Sequence, residues 1–238
     1  MSELLLTLDT STPAGSVAIS RGEHLLGEVL LETGANHTDR LLQTIHQLLA
    51  DLGLGVGEMD AFGVVLGPGS FTGLRVGIAT VKGLALATGR PAAGVSSLAT
   101  LAAGLPFVRF PVCALLDARK KEVYAGLFDC RHGRPQPLEA EVAVPPERLL
   151  ARLTADTVFV GNGAEVYRTL IIRHLGPHAH FAPWPLVAPR AALAALLVLD
   201  RIRAEEGGGG EALLPRYLRL AEAELAWLNR QAAGAIDG

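Results

Sequence analysis

Leu4-Leu5-Leu6-Thr7-Leu8-Asp9 and Val112-Cys113-Ala114-Leu115-Leu116-Asp117 are two short apolar runs, each ending on an aspartate. After the first, a turn-rich segment, Thr10 to Gly15, precedes a strand-like Ser16 to Ser20, and Arg21-Gly22-Glu23 turns the chain into Leu25 to Leu31. This predicts a β-meander with an aspartate at the tip of its first strand. After the second, a polar turn, Ala118 to Lys121, leads to a strand at Glu122 to Asp129, and Arg131 to Pro137 turns into Glu139 to Val144. The pattern is written twice.

The parts that follow each meander also match. Helix candidates at Thr38 to Leu52 and Pro146 to Leu153 precede apolar strands at Ala61 to Leu66 and Thr157 to Val160. A glycine turn follows each strand, Gly67-Pro68-Gly69 in one half and Gly161-Asn162-Gly163 in the other. Helices are then predicted over Leu74 to Thr88 and Glu165 to Leu175. Pro106 and Pro111 bracket a connector. The expected organisation is a first lobe at 1–106, a second at 107–206, and a Gly-rich tether with a terminal segment at 207–238. Within that last part, Glu222 to Asn229 is amphipathic. Two Asp-ended hairpins in tandem resemble the actin-like ATPase and sugar-kinase (ASKHA) architecture, a two-lobed α/β fold with a mixed sheet and flanking helices in each lobe. In that superfamily the hairpins hold nucleotide phosphates and magnesium, and glycines let backbone N–H groups approach the anion. Neither loop here has a glycine beside its aspartate. Asp9, Ser11, Thr12, Asp117 and Arg119 therefore mark a degenerate nucleotide cleft, in which each aspartate is expected to fix its own turn.

Half of the 238 residues are hydrophobic, 19% are charged, and the formal net charge is −3. That composition supports a sizeable core and lacks the basic footprint of a free-standing nucleic-acid binder. The longest apolar run, Ala191 to Leu199, has nine residues, against ~20 for a membrane span. Met1-Ser2-Glu3 lacks a basic region and Leu4 to Leu8 is short for a signal-peptide core, so a cytoplasmic location is expected. Cys113 and Cys130 cannot make a disulfide framework or a four-ligand zinc site.

Gly67-Pro68-Gly69-Ser70-Phe71-Thr72-Gly73-Leu74-Arg75 follows a strand and opens a helix, the context in which glycine turns cradle phosphate. It has no Gly-Lys-Ser/Thr ending, and its glycine spacing is one residue too long for the dinucleotide fingerprint. A tight strand-to-helix turn with close helix packing, built on Gly67, Gly69, Ser70 and Thr72, is the simpler expectation. The helix it opens carries only Arg75 and Lys82 as charges between Leu74 and Thr88. Gly73 and Gly77 are four apart, as are Ala79, Gly83 and Ala87, a spacing that admits another helix. The helix at Thr38 to Leu52 puts Leu41, Leu42, Ile45, Leu48, Leu49 and Leu52 on one stripe. The two form a candidate helix-on-helix interface, although an ordinary covered core satisfies the same periodicity.

Six segments together give a specific resemblance. They are Leu8 to Pro13, His37 with Arg40-Leu41-Leu42, Gly67 to Gly77, Lys82-Gly83-Leu84-Ala85, Gly94 to Leu98, and Asp117-Ala118-Arg119. They resemble the TsaB (YeaZ) family of the bacterial tRNA threonylcarbamoyladenosine machinery. The similarity is dense over residues 4–128 and thin afterwards, with echoes at Gly161 to Ala164 and Pro215 to Arg219. What it implies is a non-catalytic dimerisation or scaffold subunit. In the family a paralogue of the same fold, TsaD, holds a metal and transfers threonylcarbamoyl to tRNA, and a small ATPase, TsaE, joins the complex. ATP or ADP and metal are then expected on those partners, with no cofactor in this chain and tRNA reached only through the complex. The interface implied is Leu41, Leu42, Ile45 and Leu49 with Gly73, Gly77, Ala79, Gly83 and Ala87; an exposed helix pair of this kind also favours a homodimer in isolation.

The chemistry missing from the sequence agrees. His174 and His178 are spaced i, i+4, but Gly176-Pro177 between them breaks a helix. No His-Glu-x-x-His or Gly-x-Ser-x-Gly is present. Two alternatives carry their own tests. A small-molecule kinase would turn over ATP; a peptidase would carry zinc and cleave a generic substrate.

Overall fold

The computed structural model describes residues 2–32 and 37–219. The first half runs β1 (Leu4–Asp9), β2 (Ala14–Arg21), β3 (His24–Glu32), α1 (His37–Asp51), β4 (Ala61–Gly67), α2 (Phe71–Thr88), β5 (Ala92–Ser96) and α3 (Ser97–Ala103). The second repeats it as β6 (Val112–Asp117), β7 (Val123–Asp129), β8 (Gln136–Pro137), β9 (Val142–Val144), α4 (Pro146–Leu150), β10 (Thr157–Val160), α5 (Asn162–Val166), α6 (Arg168–Leu175), β11 (Ala179–Phe181) and α7 (Ala191–Arg203).

Both sheets have one plan. The first is ordered β3-β2-β1-β4-β5, antiparallel through the meander and parallel beyond β1. The second is ordered β11-β10-β6-β7-β8, with β9 also on β7. Thus β6 stands for β1 and β10 for β4. The central strands are apolar on both faces because helices cover both. On one side of the first sheet, Leu4, Leu6, Leu8, Phe62 and Val64 pack with Leu41, Ile45, Leu48 and Leu49 of α1 and with Leu74, Ile78 and Val81 of α2. On its other side, Leu5, Val65 and Val95 pack with Ala194, Val198 and Leu199 of α7. The second sheet has α3 on one side and α4 to α6 on the other. Since α3 and α7 also touch, they form the layer between the sheets.

Several sequence expectations change here. α7, placed by sequence in the lobe at 107–206, lies on the first sheet. Its first N–H groups have no local cap; Ser16 Oγ accepts from Ala191 N at 2.8 Å, and Glu28 Oε1 accepts from Ala192 N at 3.0 Å. Of the third strand expected at Glu139 to Val144 only β9 forms, while β8 lies earlier, in the segment read as a turn, and Glu141 instead reaches Ser96 and Arg216. The helix expected over Glu165 to Leu175 breaks at Tyr167 into α5 and α6. Gly207 to Gly210 is a packed turn rather than a tether. Gly208 pairs with Ala92, a Cβ on Gly207 would lie 2.7 Å from Ile202, and one on Gly210 would lie 3.0 Å from the Lys82 backbone. Leu213 then enters the first core. The amphipathic segment Glu222 to Asn229 lies outside the described residues. No described helix is long and apolar enough to cross a membrane.

Candidate functional site: the Asp loops and the outer face of α2

Asp9 ends β1 fully buried, and Thr10 and Ser11 are buried with it. Asp9 Oδ1 accepts from Ser11 N at 2.7 Å, so the carboxylate closes its own turn. Its Oδ2 and Ser11 Oγ find no hydrogen-bond partner among the described residues. Burial pushes the carboxyl up to about 6, against the lowering effect of the hydrogen bond from Ser11 N.

The glycine segment seals this loop. Ser70 N donates to Ser11 O at 2.7 Å, and Thr10 Oγ1 donates to Gly73 O at 2.7 Å. A Cβ on Gly69 would sit 2.2 Å from Ser11 O, one on Gly73 2.1 Å from Thr10 O, and one on Gly77 2.4 Å from Thr10 Oγ1. Only residues without a side chain let α2 come this near the loop. Ser70 caps α2 by accepting from Gly73 N, while Thr72 points outward. Gly67, at φ 113°, turns the chain beside Leu74 and Arg216. The segment thus forms a tight strand-to-helix turn with close packing of α2 on the loop.

The equivalent loop of the second half stays open. Asp117 Oδ1 accepts from Arg119 N at 2.9 Å, the same self-closing turn, and Asn162 Oδ1 accepts from Asp117 N at 3.0 Å. Arg119, Lys120 and Lys121 are exposed. Close by, Ser97 Oγ donates to Pro68 O, and Ser96 Oγ donates to Glu141 Oε1 of the second half. Burial raises the Glu141 carboxyl above its ordinary value, although Ser96 and Arg216 partly offset this.

The helix pair divides unlike the expected interface. Leu41, Ile45 and Leu49 are core, and Leu42 alone of that set is 61% exposed. Gly73 and Gly77 face the first loop, so they are unavailable to a partner. Ala79, Gly83 and Ala87 face outward, with Leu86 at 86% exposed and nothing within 4 Å of a Cβ on Gly83. The correction has a simple cause. Residues 77 and 79 are ~200° apart around a helix, so the two small-residue series lie on opposite faces. Sequence reasoning missed Ser96, Glu141, Arg216 and Tyr217, which meet only through the fold. His178 and His180 both reach Asp156, at 3.5 and 2.8 Å. No set of three His, Cys, Asp or Glu side chains among the described residues has the geometry to hold a metal.

Two duplicated meander-and-helix halves around a cleft define an actin-like fold. Residues 29–227 match the family described as TsaD, tRNA N6-adenosine threonylcarbamoyltransferase. The "tRNA threonylcarbamoyladenosine biosynthesis protein TsaB" of Bacillus subtilis is 30% identical, over 95% of this chain and 99% of that relative. TsaB of Escherichia coli is 33% identical, over 70% of this chain and 74% of the relative. The solved structure of YeaZ from Pseudomonas aeruginosa superposes with a TM-score of 0.78 at 34% identity, covering 92% of this chain and all of that one. The chain belongs to the TsaB (YeaZ) family. The kinase alternative finds no support among these relatives.

Proposed function

We propose that this chain is a non-catalytic, cytoplasmic subunit of the complex that adds a threonylcarbamoyl group to the adenosine next to the anticodon of tRNA. It pairs with a TsaD-like paralogue that carries the transfer chemistry, and a TsaE-like ATPase completes the assembly. ATP or ADP and metal belong to those partners. Without the paralogue, the same surface closes on a second copy as a homodimer.

The observation that carries the proposal is the outer face of α2. Ala79, Gly83, Leu86 and Ala87 form an exposed stripe of small and apolar residues, with Leu42 of α1 also exposed. A stripe of this kind lets a second helix approach closely. The sealed first loop fits a subunit that supplies a surface rather than a reaction.

The test replaces Gly83 with Leu and, separately, Ala79 with Glu, with Arg173→Ala on the far layer as control. Both positions face solvent in the free chain, so both variants fold by circular dichroism. Overpacking costs ~1–3 kcal/mol, about one to two decades in affinity, and an unpaired charge covered by the partner costs more. The variants lose the heterodimer in size-exclusion chromatography and lose tRNA modification with it, while the control keeps both. Folded variants that still pair normally refute this interface.

A further inference from the structure

The C-terminal segment is fastened to both halves of the molecule. Its anchors on the first half are apolar and aromatic. Leu213 joins the core that α1 and α2 cover, and Arg216 N donates to Leu66 O at 2.8 Å, near the end of β4. The segment lies so close to the glycine turn that a Cβ on Gly67 would sit 2.9 Å from Arg216 O. One residue on, Tyr217 stacks on Phe71, the first residue of α2, with ring centroids 5.0 Å apart. Arg75 covers the Phe71 ring at 3.7 Å, and its Nε donates to Tyr217 Oη at 3.1 Å.

Its anchors on the second half are ionic. Arg216 Nη1 lies 3.2 Å from Glu141 Oε2, and Arg219 Nη1 donates to Glu122 Oε2 at 3.1 Å. The Glu141 side chain is only 6% exposed. Its Oε1 accepts from Ser96 Oγ, while its Oε2 has no hydrogen-bond partner among the described residues and faces the Arg216 guanidinium. A carboxylate buried this far is costly unless a cation stands beside it. The spacing also matches. Val123 and Ala125 of β7 pair with Val144 and Val142 of β9, which places Glu122 and Glu141 about four residues apart along β7, roughly 13 Å. Arg216 and Arg219 are three positions apart, at most ~11 Å of extended chain, and their long side chains cover the difference.

Both sets of anchors reach the Asp-loop ends of the sheets. β4 runs parallel to β1, so Leu66 lies at the end of the first sheet where β1 finishes on Asp9. Asp117 pairs with Val123, so Glu122 lies at the end of the second sheet where β6 finishes on Asp117. The α3–α7 layer already joins the sheets along their faces. The C-terminal segment adds a second join, across their ends. A hinge motion of one lobe on the other therefore requires the arginine pairs to part. Partly exposed ion pairs are individually weak, which suits a fastening that opens and recloses. We propose that residues 213–219 are an interlobe strap, which holds the two lobes together at their Asp-loop ends and lets them swing apart when Arg216 and Arg219 leave Glu141 and Glu122. The strap acts within one chain, independently of the subunit role proposed above.

The test reads the distance between the two outer layers of the full chain, by pulsed electron–electron double resonance between spin labels at Ala50→Cys on α1 and Arg173→Cys on α6. Both positions are exposed, and the native Cys113 and Cys130 are buried. The labelled parent is expected to give one narrow distance distribution. Arg219→Glu sets two like charges against each other at Glu122, and should shift the distribution to longer distances and broaden it. R216A/R219A removes both pairs and should shift it further. The exchange R219E/E122R restores the pair in reverse and should return the distance to that of the parent. Leu213 and the Tyr217 stack are intact in every variant, so all remain folded by circular dichroism. An unchanged distribution in R216A/R219A overturns the proposal, since the α3–α7 layer alone would then hold the lobes. So does a shift in R219E that the exchange fails to reverse, which would assign the opening to lost packing rather than to the ion pair. Loss of the folded spectrum in R219E would make the pair part of the fold itself and would overturn it as well.

Discussion

Asp9 and Asp117 end equivalent strands in the two halves, and each accepts a hydrogen bond from the backbone two residues on, at 2.7 and 2.9 Å. Around this shared turn the halves diverge. In the first, a row of glycines draws α2 onto the loop until no side chain fits between them, and the aspartate is buried. In the second, the helix after the glycine turn is broken at Tyr167, and the loop carries three exposed cations. One scaffold has therefore been used to seal a loop and to display one. The seal also fixes how α2 sits, so the same glycines that close the first loop orient the stripe offered to a partner on the opposite face.

The sharpest way to break this comparison is to add one methyl group to each face of α2. Gly73→Ala would put its Cβ 2.1 Å from the Thr10 carbonyl oxygen, and backbone there cannot step aside. A loss of about 3 kcal/mol or more is expected in urea denaturation. Gly83→Ala meets nothing within 4 Å and replaces a mid-helix glycine, so it should stabilise by about 0.5–1 kcal/mol. Equal effects at the two positions would show that the seal is not real.

How far this was legible in the sequence differs by level. The duplication is plain because Asp-ended apolar runs recur at Leu4–Asp9 and Val112–Asp117 with the same elements behind them. The two faces of α2 are legible from the two-residue offset between Gly77 and Ala79, once angle is considered as well as spacing. The capping of α7 is not legible. Its first N–H groups are satisfied by Ser16 and Glu28, more than 160 residues earlier, so the local sequence has no start signal and the Ala191 run reads only as apolar. Gly207 to Gly210 has the composition of a tether, and only the neighbours Ala92, Ile202 and Lys82 reveal it as a packed turn. Ser96, Glu141 and Arg216 come from three distant segments whose meeting no spacing announces.

A smaller effect separates the aspartates themselves. The Asp9 carboxyl is raised to about 6 by burial, so the folded protein holds its proton at pH values where the unfolded chain has lost it. Its contribution to stability is therefore fully present below about pH 4, the ordinary carboxylate range, and is lost as pH rises through about 6. Asp9→Asn keeps the Oδ1 acceptor for Ser11 N and cannot ionise. Relative to the parent it should be similar at pH 4 and more stable by roughly 1–3 kcal/mol at pH 7. Parallel pH profiles for the two proteins would mean that Asp9 is not sealed from water.

The smallest effect belongs to Asp117, and it isolates what burial adds. Asp117 makes the same turn, but it is only partly buried, next to the exposed Arg119 to Lys121. Asp117→Asn preserves the acceptor for Arg119 N and should change stability by no more than ~0.5 kcal/mol, the scale of a surface substitution. Asp117→Ala removes that acceptor and should cost about 0.5–1.5 kcal/mol, one ordinary hydrogen bond. Both belong in the urea and pH series used for Asp9→Asn. If Asp117→Asn instead reproduced the neutral-pH stabilisation expected at Asp9, the two loops would be equally closed. The divergence would then lie in their sequences alone.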